Sequence, residues 1–80
     1  MPHMTSIERR GLERGLERGR AEGQAKMLLR ALERRFQVAV PEELVARIQG
    51  TNDLNLLEQW FDWTYEAASL EQFLQRIQSR

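Results

Sequence analysis

Apolar residues recur at helical spacing along most of the chain, and nowhere do they alternate with period two, so helices are expected and strands are not. Ala25, Leu28, Leu29, Leu32 and Phe36 stand three and four positions apart, the stripe of a helix turned towards a core. Thr5 or Ser6 can cap this helix far upstream, near Ile7, with Glu8 in its first turn. No proline interrupts until Pro41, and β-branched Val38 and Val40 predict an end near Gln37. A short second helix is expected over about 41–49, with Pro41 at its first position and Glu42 and Glu43 at the positive end of its dipole. Its apolar face is Leu44, Val45 and Ile48, Arg47 sits in its last turn, and Gly50 stops it.

Asn52 or Asp53 can cap a third helix running from about Leu54 to Ala67. Its apolar positions (Leu54, Leu56, Leu57, Trp60, Phe61, Trp63, Thr64, Tyr65, Ala67 and Ala68) fill an arc of about 200°, where one contact needs roughly 100°. This helix is therefore expected at the centre of the domain, or buried on two sides. Ser69 and Gln72 then have capping-box spacing, and Leu70, Phe73, Leu74 and Ile77 form the stripe of a fourth helix ending in Arg76 and Arg80. The expected fold is all-α: a long N-terminal helix followed by three short helices in a small, self-associating bundle.

The upstream half of the long helix follows a different rule. Residues 11–23 read GLERGLERGRAEG, with Gly11, Gly15, Gly19 and Gly23 four apart. In an exposed helix each glycine costs about 1 kcal/mol relative to alanine, or roughly 4 kcal/mol together. Ion pairs at helical spacing (Arg14–Glu17, Arg18–Glu22, Glu22–Lys26) return only about 0.2–0.5 kcal/mol each. A second copy of the helix packed on the glycines would supply the difference. Small residues four apart permit close, right-handed crossings, and the interleaved charges exclude a bilayer. The alternative is a helical or half-disordered spacer. The expected interface is Gly11, Leu12, Gly15, Leu16, Gly19 and Gly23, and a dimer is favoured. The chain thus divides into residues 1–4 (Met-Pro-His-Met, read as a vector-derived remnant), a charged glycine-repeat helix over 5–24, and a bundle over 25–80.

Composition removes most other readings. Twelve basic and twelve acidic residues balance to zero net charge, which argues against a general nucleic-acid binder or a polybasic membrane anchor. Without cysteine there is neither a disulfide framework nor a thiolate metal site, and a cytoplasmic location is expected. His3, the single histidine, falls in the remnant and receives no role. Glu58, Asp62 and Glu66 form a carboxylate row, but no histidine, catalytic lysine or phosphate loop accompanies them. A solvated acidic face is expected, or pairing with the Arg10, Arg14 and Arg18 row of another copy. Trp60 and Trp63 suit a core and, as a second use, an association surface. Arg9, Arg10, Arg14, Arg18 and Arg20 could touch phosphate, though glutamates interleave them and no aromatic residue accompanies them. No catalytic residue, cofactor or metal is expected.

The succession of the glycine-spaced helix, LLRALERRF, PEELVARI and LEQWFDWTYEAASLEQFL over residues 8–78 resembles a bacterial domain. It is the helical C-terminal domain of unknown function in the recombination-promoting nuclease and transposase-like family. The RRF…PEE junction and the W-x-D…AASLE stretch carry the resemblance most strongly. Family members pair this tail with an upstream nuclease domain of the PD-(D/E)XK class. The acidic residues and lysine of that nuclease are absent here, so no catalytic residue carries over. The resemblance implies a tail that brings subunits together, or a separate product that joins full-length nuclease-like subunits and regulates them.

Overall fold

The structure, a computed structural model, describes residues 6–78, with side chains from Arg9 onward. It is all-helical in the expected order: α1 (Ser6–Phe36), α2 (Glu42–Gln49), α3 (Leu54–Glu66) and α4 (Leu70–Gln78). Thr5 and Arg80, expected at the two ends of the helical run, lie outside the described residues.

The helix ends follow local chemistry, with small departures from the sequence expectation. After Phe36 the chain turns at Gln37, whose φ of 55° is left-handed, and Gln37 Nε2 donates to the Arg34 carbonyl at 3.0 Å. Pro41, expected inside α2, precedes it as the N-cap, because its extended ψ of 144° already lets its carbonyl accept from Leu44 and Val45. Gly50 does end α2, but with φ −80° and no left-handed turn. Its small size matters instead: a Cβ there would lie 3.1 Å from the Ala46 carbonyl oxygen. Asp53 caps α3, its Oδ1 accepting from the Asn55 and Leu56 amides at 3.0 and 3.2 Å. At α4, Ser69 Oγ accepts from the Gln72 amide at 3.2 Å, while Gln72 Oε1 accepts from the Ala68 amide, one residue upstream of the usual box partner.

α3 packs most extensively along α1 and also against α4, so it is covered on two sides, while α1 also carries α2. Leu28 and Leu32 from α1, Ile48 from α2, Leu57 and Trp60 from α3, and Phe73 and Ile77 from α4 are fully buried together. Thr64, buried among them, satisfies its hydroxyl by donating to the Trp60 carbonyl at 2.9 Å. The Trp60 indole N–H has no such partner, a loss of about 1–3 kcal/mol set against the large area the ring buries. Burial on α1 begins at Ala21, four residues upstream of the expected boundary at residue 25. Ala21 and Ala25 are 1% and 2% exposed, and their small side chains seat α1 on the body.

Candidate functional site

From Arg9 to Arg20 every residue of α1 is exposed, a rod about 18 Å long reaching past the bundle. The molecule measures 54 × 24 × 20 Å as a result. A Cβ built on Gly11, Gly15 or Gly19 of this arm, or on Gly23 just beyond it, would meet nothing within 4 Å, so no contact among the described residues requires these glycines. Leu12 and Leu16 are 51% and 54% exposed. At 100° per residue, Leu12, Leu16, Gly23 and Met27 fall within about 60° of one another, opposite the buried Ala21. Gly19 joins that side, and Gly11 and Gly15 lie further round the helix. Of the expected ion pairs, Arg18 Nε meets Glu22 Oε1 at 3.4 Å on the exposed surface. Beside Asn52, at the N-terminal end of α3, the arm forms only a shallow depression lined by Arg14, Glu17 and Arg18.

The apolar side of the arm runs on into a groove between α1 and α3. Met27, Arg30, Ala31, Arg34, Arg35, Phe61 and Tyr65 line this space of about 450 Å³. Met27 and Tyr65 are 62% and 65% exposed, so among the described residues four of the five exposed large apolar side chains belong to the arm or the groove, Val38 being the fifth. Phe61 and Tyr65 stack with centroids 6.5 Å apart. Arg35 does not point freely into the groove: it is held by the carbonyls of Thr64, Tyr65 and Ala67.

The two tryptophans part company. Trp60 is 1% exposed and belongs to the core, which corrects its expected second use as an association surface: no face of it is accessible. Trp63 is half-buried, with Arg76 Cζ 4.9 Å from its ring centroid. The carboxylate row is exposed at all three positions, and Glu66 Oε1 lies 3.5 Å from Arg76 Nη1. Among the described residues no three His, Cys, Asp or Glu side chains are grouped to hold a metal, and no helix is long and apolar enough to cross a membrane.

Sequence reasoning missed the groove, because Met27 lies outside the apolar stripe starting at Ala25 and Tyr65 counts within the broad apolar arc of α3. The signal was present in the spacing of Leu12, Leu16, Gly23 and Met27, a second stripe on the opposite side of α1 from Ala21. What the arrangement offers chemically is apolar contact framed by charge. No family model, curated protein or solved structure matches this chain.

Proposed function

We propose that this chain is a non-catalytic association domain whose α1 arm pairs with the same arm of a second copy. One observation carries the reading: a Cβ added at Gly11, Gly15, Gly19 or Gly23 would meet none of the described residues, and Leu12 and Leu16 beside them are half-exposed. A lone arm of this composition bears the full helix penalty of its glycines, whereas a pair can bring two backbones close enough to gain from the missing side chains. The bundle from Ala21 onward is also small enough for association to add materially to its stability.

The resemblance to the tail of recombination-promoting nucleases gives such pairing a use. It would hold two nuclease domains together on one duplex, or let a separate tail enter assemblies of the full-length protein. The molar mass by light scattering decides the first point: a dimer is expected for the whole chain and weaker association for a chain lacking residues 1–20, which keeps the buried Ala21. A whole chain that is monomeric at tens of micromolar overturns the reading. Salt-sensitive retention on DNA by a monomer would point instead to nucleic-acid contact through Arg10, Arg14 and Arg18.

A further inference from the structure

Basic residues line the α1–α3 groove on α1, and the exposed side of α3 next to it carries acidic ones. α1 and α3 run in the same direction, since Arg35 meets the Thr64–Ala67 end of α3 while Arg14 and Arg18 lie beside Asn52 at its start. Ala31 and Phe61 both line the groove. Turning outward on α1 from Ala31, the next side chains are Met27, Arg34 and Arg30, at about 40°, 60° and 100°. Turning outward on α3 from Phe61, they are Tyr65, Glu58 and Asp62, at the same intervals in the opposite sense. All six are exposed, and Arg30 and Arg34 line the groove with Met27 and Tyr65. The face thus has an apolar middle, a basic wall on α1 and an acidic wall on α3.

We propose that the occupant of this groove is the groove of a second copy of the chain, related by a two-fold axis running along the helices. The proposal rests on the self-association reading above and adds a second contact that fixes its geometry. Such an axis lays each α1 on the partner's α3. Arg30 and Arg34 of one copy then face Glu58 and Asp62 of the other, twice, while Met27, Phe61 and Tyr65 close over one another. An axis running across the helices would lay α1 on α1 and set the basic walls against each other, so charge selects the first arrangement. The same axis sends both arms out of the bundle at the same end and in the same direction.

The test uses two charge-reversed full-length chains, one carrying Arg30→Glu and Arg34→Glu, the other Glu58→Arg and Asp62→Arg. Each alone puts like charges across both halves of the contact, and dimerisation should weaken at least about ten-fold. An equimolar mixture restores attraction in both halves, and native mass spectrometry should find the mixed dimer dominant. If the unmodified chain dimerises but each variant dimerises equally well, or the mixture forms no excess of mixed dimer, the groove proposal fails and arm pairing stands. A monomeric unmodified chain removes both. The cysteine-free sequence allows a second measurement that needs no charge reversal. An equimolar mixture of Arg30→Cys and Asp62→Cys chains should oxidise mainly to the disulfide that joins one variant to the other. A predominance of disulfides between two Arg30→Cys chains overturns the proposal.

Discussion

The Arg35 side chain of α1 donates from Nε to the Thr64 carbonyl, 3.0 Å away, at the C-terminal end of α3. Its Nη2 reaches the carbonyls of Tyr65 and Ala67, each at 3.3 Å. The last carbonyls of a helix have no partner within it and carry partial negative charge, so a guanidinium supplied by another helix both caps α3 and ties it to α1. Arg35→Ala should destabilise the fold by about 1–2 kcal/mol in urea unfolding. Arg35→Lys should recover little, because an ammonium on a flexible stem cannot span three carbonyls as a planar fork does. Full recovery by lysine would mean that charge alone matters there.

Gln37 occupies a conformation that costs a side-chain-bearing residue roughly 1–2 kcal/mol and glycine almost nothing. Gln37→Gly forfeits the bond to the Arg34 carbonyl and some unfolded-state entropy, yet a net gain of about 0.5 kcal/mol is expected, read as a raised melting temperature. A fall in melting temperature would show that the side-chain bond dominates the backbone.

Arg76 lies against both Trp63 and Glu66 and covers one face of the indole. The arginine is itself half-exposed, so Arg76→Ala should cost no more than about 1 kcal/mol. The tryptophan emission should move to longer wavelength as water reaches Trp63, while buried Trp60 holds its share constant. Unchanged emission would place the arginine away from the ring in solution.

The arm glycines give a prediction with opposite signs for its two parts. Gly15→Ala with Gly19→Ala meets open space within the chain, so helicity should rise, with a gain of about 0.5–1 kcal/mol per site. If the arms pair through these positions, added methyl groups separate the backbones and dimer affinity should fall. Dilution followed by circular dichroism and light scattering separates the two effects. A gain in both helicity and affinity would exclude the glycines from the contact.

Much of the fold was legible because start and stop signals coincided with changes in apolar spacing. Asp53, Ser69 and Gln72 act as caps near the ends predicted for them, and the breadth of the apolar arc on α3 matches its packing against both α1 and α4. The end of α1 near Gln37 was legible from Val38, Val40 and Pro41, but its left-handed turn was not, because it falls on Gln37 rather than on a glycine. Arg35 and Arg76 could not be assigned their roles, since both act on groups about thirty or ten positions away along the chain. The candidate site was half legible: the glycines and leucines of the arm announce themselves, whereas the groove exists only once Tyr65 is brought beside Met27 by packing.

The step in burial at Ala21 makes α1 one helix by geometry but two by resistance to opening. Amides between Arg9 and Arg20 have only exposed backbone bonds around them, weakened by glycine, and should exchange their hydrogens for deuterium through local fraying. Those beyond Leu28 can exchange only when the bundle opens. The position of that boundary along α1 is therefore a gauge of what the arm is touching, and a bound copy would push it towards the N-terminus without altering a single bond of the core.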